Sequence, residues 1–397
     1  MVIAIDGLRC DEVGAWGGPT TSTPALDALA ESGLRFDAAY ASAPCNVPSL
    51  ASMWTGRLPW EHGVQNDHDV LDADARTLAE VLAERGFDTF GVASDFRAGR
   101  ARGLDQGFAT FSTVDVEALG EPTSDRVAQR VIQLLDLYEP STRPFFLFAH
   151  LSDPKPPLVR HSEDEGRIEL AGALRGGESL DYLQVARETL DAAELRAIRA
   201  LYSAEVREAD RAVARIVADL ERRQVLDETL LIVVGSAGFE WNDRGWIGDG
   251  HSLHDELVHV PLILRSRACA SGAIERRPVS LCGLARTVLD LVAPESAPPA
   301  GACGGWLDVE QRLPARPEAV FFGVQDDPHL LGARTRAVDL RGVRDGPWKL
   351  ILDSERGAGR VYDLAHDPRE LVDLADRDRE HLRVLAERLA ARSSSQP

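Results

Sequence analysis

The alternation of short apolar runs with longer amphipathic segments constrains the fold of this chain more than any other feature. Aliphatic and β-branched residues fill 2–5 and 229–234, whereas 192–222 has the length of a long helix and surrounds an apolar stripe with charged residues. Buried strands that alternate with helices are typical of a largely parallel sheet covered on both faces. The sequence therefore predicts an α/β fold in which helices sandwich a large mixed, mostly parallel sheet.

The pattern changes after about residue 319. Short strand-like runs follow one another at 319–324 (AVFFGV), 349–353 (KLILD) and 360–364 (RVYDL), and an amphipathic segment at 376–392 closes the chain. Successive short strands favour an antiparallel sheet. We therefore predict two units: an α/β domain over residues 1–318 and a small α+β subdomain over 319–397, with an antiparallel sheet and a closing helix.

The charge balance bears on the kinds of partner that are possible. Asp and Glu total 64 against 44 Lys and Arg, which gives a formal net charge of −20. Such a surface repels nucleic acid backbones and anionic lipid, so the sequence predicts neither a nucleic acid nor a membrane partner. No apolar run approaches the roughly 18 residues that a membrane-spanning helix needs.

The cysteines bear on the cellular compartment. Five cysteines are scattered along the chain without a Cys-x-x-Cys pair, and the first residues lack the basic and long apolar regions of a signal peptide. The sequence thus predicts unpaired thiols in a reducing environment and a cytoplasmic location.

Five segments in chain order contain recognisable motifs: IAIDGLRCDEVGAWGG, NVPSLASMWTGRLPWEHGV, FLFAHLSDPKPPL, GDGHSLHDELVHVPLIL and GVRDGPWKLILDSERGAGRVYDLAHDPRELVDLA. Together they resemble the sulfatase family of the alkaline-phosphatase superfamily. The second segment is similar to the signature Cys-x-Pro-Ser-Arg-x-x-x-x-Thr-Gly-Arg, and the third to the Asp-Pro-His-x-Pro landmark. The resemblance implies metal-dependent hydrolysis of a small anionic sulfate, phosphate or phosphonate ester.

The resemblance also implies a divalent cation, Ca²⁺ or Mg²⁺, in an oxygen-rich site. Asp6 matches the first metal-binding Asp, but its neighbour Gly7 stands where many members have a second Asp. Ser236 and Ala237 stand where the family has an Asp-His or Asp-Asn pair. Hard cations need several carboxylate or amide oxygens. We therefore expect a degenerate metal site, with Asp6 and Ser236 as its remnants, and weak or absent cation binding.

The nucleophile position differs as well. In the family this residue is a formylglycine made from Cys, or in some branches Ser or Thr, whereas the matching residue here is Asn46. An amide has no oxygen or sulfur comparable in nucleophilicity to an alkoxide or thiolate. Cys45 lies one residue too early for the signature, and Leu50 replaces its Arg, so formylglycine formation is not expected. A local bulge that brings Cys45 into place is the alternative.

Several candidate contacts to an anion remain. His251 matches a position where the family has a basic residue, and Lys155 replaces the His of the third motif while keeping a positive charge. We expect both to take part in catalysis or anion binding if the protein is active, and Asn66, Arg57 and Arg97 to line the substrate pocket. The competing interpretation is that these are solvated loop residues.

A second possible metal site is the cluster Asp249, His251, His254 and Asp255. Its spacing fits no standard metal-binding motif, and such clusters are more often solvent-facing.

Three functional hypotheses follow. The first is a pseudo-sulfatase, a catalytically impaired or inactive member that keeps the fold. The second is an active sulfuric or phosphoric ester hydrolase with a rearranged nucleophile, Cys45, and a relocated cation. The third is a non-catalytic partner subunit, assembled with an active homologue or as a homo-oligomer. The replaced nucleophile and metal positions favour the first.

Overall fold

The fold is built on one large sheet. The computed structural model describes the chain except for residues 19–22, 115–122, 138–142, 162–167, 268, 309–312, 315–318, 327–337 and 395–397. The strands of the large sheet are β1 (Val2–Asp6), β2 (Leu34–Tyr40), β3 (Asp88–Ala93), β4 (Thr110–Thr113), β5 (Phe145–Leu151), β6 (Leu231–Ala237), β9 (His259–Arg265), β10 (Ala273–Glu275) and β11 (Val279–Ser280), while β7 (Glu240–Trp241) and β8 (Ile247–Gly248) form a separate hairpin.

The strand order is β10-β2-β9-β6-β1-β5-β3-β4, with β11 also beside β2. Strands β6, β1, β5, β3 and β4 run parallel to one another, and β9 runs antiparallel to both of its neighbours. The sheet is therefore mixed and mostly parallel, which confirms the predicted fold class. Because β1, β5, β3 and β6 are parallel, their carboxyl ends meet at one edge of the sheet.

Helices cover both faces. They are α1 (Pro24–Ser32), α2 (Asn46–Thr55), α3 (Pro59–His62), α4 (Leu78–Glu84), α5 (Thr123–Leu137), α6 (Leu180–Ala186), α7 (Ala192–Arg222), α8 (Asp255–Val258), α9 (Leu284–Val292) and α10 (Arg379–Ser394). Side chains of α1, α5 and α7 share one apolar core, and those of α2, α4 and α9 share a second core on the opposite face. Strand β5 contributes side chains to both cores, because successive residues of a strand point to opposite faces of the sheet. Leu147 and Ala149 belong to the first core, and Phe146 and Phe148 belong to the second.

The C-terminal part has its own sheet. The strands β14 (Val320–Asp326), β15 (Val338–Asp345), β16 (Trp348–Asp353) and β17 (Ala358–Asp363) pair antiparallel in this order, after a short hairpin of β12 (Leu307–Asp308) and β13 (Leu313–Pro314). Leu385 and Leu389 of α10 pack with Leu350 and Val361 of this sheet. The expected antiparallel sheet and closing helix are therefore present, while the predicted boundary after residue 318 lies outside the described residues.

The cysteines correct one expectation. Cys282 and Cys303, predicted to be unpaired thiols, form a disulfide with their Cα atoms 5.7 Å apart. They lie 21 residues apart with α9 between them, and just after Cys303 the chain returns to this helix, where the backbone N–H of Trp306 donates to Thr287 Oγ1. Cysteine spacing along the chain cannot show such proximity.

No helix in the described ranges is both long enough and apolar enough to span a membrane.

Candidate active site

The candidate site lies where the parallel strands of the large sheet end. Asp6 is the last residue of β1, Ser236 stands next to last in β6, and His150 stands next to last in β5. Helix α2 begins at Asn46 and brings its first turn to the same edge. All four residues are at most 3% exposed, so their polar atoms must find partners within the protein.

Asn46, at the nucleophile position, is held on both sides of its amide. Its Oδ1 accepts a hydrogen bond from Ser236 Oγ over 2.8 Å, and its Nδ2 lies 3.1 Å from His150 Nε2. Burial lowers the pKa of His150 to about 4, so the ring is neutral near pH 7 and accepts from the amide of Asn46. The other ring nitrogen lies 3.3 Å from Ser94 Oγ. An amide that is hydrogen-bonded in this way is a structural connector between β5, β6 and α2.

Cys45 lies just outside this arrangement. It precedes α2 in extended conformation and belongs to an apolar cluster that includes Tyr40, Leu253 and Phe322. The described structure thus places Cys45 on the side of the C-terminal sheet, while Asn46 contacts the strand ends. The bulge that would exchange the two residues is not observed, since α2 begins at Asn46.

Asp6 is paired with a lysine. Lys155 Nζ lies 3.1 Å from Asp6 Oδ2 and 2.7 Å from Asp249 Oδ2, so the ammonium bridges the two carboxylates. Asp6 Oδ1 is buried and has no hydrogen-bond partner among the described residues. Burial raises the pKa of Asp6 to about 7, although Lys155 opposes this shift.

The residues present do not fit the cation that the family resemblance implies. Gly7 and Ala237 offer no side-chain ligand, and the hydroxyl of Ser236 is already donated to Asn46. Oδ2 of Asp6 is already paired with the ammonium of Lys155, which also neutralises the nearby Asp249. In the part of the chain that the structure describes, no three His, Cys, Asp or Glu side chains are grouped as metal ligands.

His251 is placed by hairpin β7–β8. Its Nε2 lies 2.7 Å from Glu240 Oε2, and its Nδ1 is buried without a hydrogen-bond partner in the described structure. The ring also lies 5.4 Å from that of Trp246, which in turn packs under the guanidinium of Arg187 at 4.5 Å. His251 is therefore a positioned residue, one that sequence reasoning found without its partner Glu240.

The proposed second metal cluster is not assembled. Asp249 bonds to Lys155, and His251 to Glu240. His254 Nε2 lies 3.3 Å from Tyr362 of the C-terminal sheet, and Asp255 accepts from Lys349 over 2.6 Å. The four side chains thus serve four different contacts, and we derive no metal site from them.

The three predicted pocket residues lie in different places. Arg97 pairs with Asp95 at 2.6 Å and lies close enough to Asp6 and Asp67 to interact with their charges. Asn66 donates to the carbonyl of Gln325 over 3.1 Å, so its side chain makes a structural contact rather than lining a pocket with the other two residues. Arg57 follows the far end of α2, one helix length of about 15 Å from Asn46.

Two residues that complete the site, Asp67 and His150, were not predicted from the sequence. Asp67 accepts the backbone N–H of Val47 over 2.9 Å and so satisfies a donor in the first turn of α2. His150 joins Asn46 to Ser94. Its signal was available, because a polar residue at the end of the buried run FLFAH stands where parallel strands present functional side chains.

Comparisons with known proteins agree with this architecture. The family model described as Sulfatase matches residues 1–293. Choline-sulfatase of Rhizobium meliloti (strain 1021) is 25% identical over 423 residues, which cover 90% of this chain and 78% of the relative. Arylsulfatase K of Xenopus laevis is 23% identical over 428 residues, covering 93% of this chain and 77% of the relative.

Solved structures show the same fold. The structure of BT4656 in complex with its substrate D-glucosamine-2-N,6-O-disulfate superposes with a TM-score of 0.84 at 19% identity, covering 100% of this chain and 98% of that one. Phosphonate monoester hydrolase of Agrobacterium radiobacter gives a TM-score of 0.82 at 21% identity, covering 99% and 95%. Together with the family match over most of its length, these findings establish that the chain belongs to the sulfatase family.

Proposed function

We propose that this chain is a sulfatase-family protein that has lost the hydrolytic reaction of its relatives and keeps the fold as a pseudo-sulfatase. The observation that supports this most is Asn46 at the nucleophile position, with its amide bonded to Ser236 and His150. Covalent ester hydrolysis needs an activated oxygen or sulfur nucleophile. The amide provides neither, and its bonded geometry gives it a structural role.

The surroundings of Asn46 support the same proposal. A sequence that has Asn in place of Cys offers no residue for conversion to formylglycine. Gly7 and Ala237 have no side-chain ligand for a cation. We therefore also propose that binding of Ca²⁺ or Mg²⁺ is weak or absent. Three positions that serve the family reaction, one for the nucleophile and two for the cation, thus have replaced residues at one edge of the sheet.

Further aspects of the function remain proposals. A small anionic ester is the ligand class suggested by the names of the relatives, which include choline-sulfatase and phosphonate monoester hydrolase. A homologous subunit or a second copy of this chain is the proposed protein partner. The cytoplasmic location is not proposed further, because the disulfide of Cys282 and Cys303 is typical of an oxidising compartment.

The test is an assay of the purified protein against choline sulfate, an aryl sulfate, a phosphate monoester and a phosphonate monoester, each with added Ca²⁺, Mg²⁺ or chelator. We expect no turnover above that of the Asn46→Ala variant. Turnover that disappears in Cys45→Ala but persists in Asn46→Ala would replace the proposal with the Cys45 hydrolase. Turnover that disappears in Asn46→Ala alone would assign catalysis to a centre that includes Asn46.

A further inference from the structure

Lysine is almost absent from this chain, although Lys and Arg together number 44. The two lysines are Lys155 and Lys349, and both side chains are buried, with 9% and 0% exposure. Each ammonium bridges two carboxylates. Positive surface charge is therefore left to arginine, and each lysine lies between two acids whose side chains are at most 17% exposed.

Lys155 occupies the centre of the candidate site. Its ammonium lies 3.1 Å from Asp6 and 2.7 Å from Asp249, and Asp249 is only 8% exposed. A buried carboxylate is costly unless a cation or hydrogen bonds compensate for its lost hydration. One ammonium does this for both acids.

The neighbouring Gly7 makes room for this lysine. A Cβ atom at Gly7 would lie 2.8 Å from Cγ of Lys155 and 2.5 Å from the carbonyl oxygen of Pro154. The backbone of Gly7 also has φ +78°, which disfavours other residues. A carboxylate side chain at position 7 and the stem of Lys155 therefore compete for the same space.

We propose that Lys155 is a built-in cation, whose ammonium neutralises Asp6 and Asp249 in place of a divalent metal ion and makes this centre independent of metal. The lysine provides the positive charge, and the missing side chain at position 7 removes both a ligand and a steric obstacle. The centre then needs no ion from solution to keep its acids buried. This inference concerns cation binding alone and does not depend on whether hydrolysis is lost.

Lys349 provides an internal comparison. Its ammonium lies 2.6 Å from Asp255 and 2.8 Å from Glu370, which links β16 to the start of α8 and to the C-terminal segment. Arg244 lies 3.7 Å from Glu370 as a second cation. The two lysines share the same arrangement, but only Lys155 contacts the acid that matches a metal ligand of the family.

The first experiment uses the unaltered protein. Isothermal titration with Ca²⁺ and with Mg²⁺ is expected to give no saturable heat, and the melting temperature is expected to be the same with either ion or with chelator. Stoichiometric binding of either ion, or a melting temperature that falls in chelator, would overturn the proposal.

The second experiment compares Lys155→Met with Lys349→Met, which keep an unbranched stem and remove the charge. Each variant is expected to melt about 5 to 10 °C lower in chelator, because two largely buried acids lose their cation. Added Ca²⁺ is expected to raise the melting temperature of Lys155→Met only, since Arg244 still serves Glu370 in the other variant. An equal response of the two variants to Ca²⁺, or a stability of Lys155→Met equal to that of the unaltered protein, would contradict the proposal. Should Lys155→Met fail to fold, the titration of the unaltered protein still decides the question.

Discussion

The hydroxyl of Ser236 donates a hydrogen bond to the side-chain oxygen of Asn46 over 2.8 Å, although the two residues are 190 positions apart in the chain. Both side chains are buried, so neither has water as a substitute partner. The residue at the family's nucleophile position and the residue at one of its metal positions are thus joined directly to each other. Each side chain satisfies a polar atom of the other.

The first prediction follows from this contact. Asn46→Leu leaves Ser236 and His150 without their buried partner and is expected to lower the free energy of unfolding by about 2 to 4 kcal/mol. Urea unfolding of Asn46→Leu, Ser236→Ala and the double variant measures the coupling. We expect the double variant to be at least about 1 kcal/mol more stable than the sum of the single effects predicts. Additive effects would mean that the contact contributes nothing.

The second prediction concerns Gly7. Gly7→Ala combines a left-handed backbone with a close approach of Cβ to Pro154 and Lys155, and we expect a loss of about 3 to 5 kcal/mol. Gly63→Ala is the matched control, because Gly63 has φ +82° with nothing within 4 Å of its Cβ position. That variant is expected to lose only about 1 to 2 kcal/mol. Equal losses in chemical denaturation would show that the contact with Lys155 is relaxed easily.

The third prediction is a pH dependence of stability that arises at Asp210. Its carboxylate accepts the backbone N–H groups of Ala25 and Leu26 at the start of α1, near the charged groups of Asp27 and Arg211. Burial raises its pKa from 3.8 to about 6. The folded state therefore holds the proton more tightly than the unfolded state, and this contribution to stability is present below about pH 4 and lost as the pH rises to about 6.

Asp210→Asn removes the carboxyl group that binds this proton. Relative to the unaltered protein, its free energy of unfolding is expected to rise by about 2 to 3 kcal/mol between pH 4 and pH 6 and to stay level above that range. Denaturant unfolding at a series of pH values measures the difference. A difference that does not change with pH would remove Asp210 as the source.

The fourth prediction is a count of thiols. Alkylation of the denatured, unreduced protein is expected to modify Cys10, Cys45 and Cys269, with five sites modified after reduction. Replacing Cys282 and Cys303 by Ser is expected to lower the free energy of unfolding by about 3 kcal/mol, because the closed loop restricts the unfolded chain. Mass spectrometry of the alkylated peptides provides the count. Five modified thiols without reduction would show that the disulfide is absent and that all five cysteines are free, as the sequence predicts.

The sequence by itself determined the architecture and the chemical types available at the site. The apolar runs fixed where strands lie, and α7 spans the predicted residues 192–222, because strand and helix periodicity are local properties of the chain. Residue type also decided that Asn46 brings an amide and Gly7 no ligand to the positions that the family motif marks.

Only the tertiary structure decided which of these groups meet. The bridge of Lys155 between Asp6 and Asp249, the contact of His150 with Asn46 and the disulfide of Cys282 depend on how the strands are ordered and on how the loops return. Such contacts join residues from distant parts of the chain, and chain separation does not specify distance in space. The same reason separates Arg57 from the site, because a helix of fixed rise places the two ends of one motif apart.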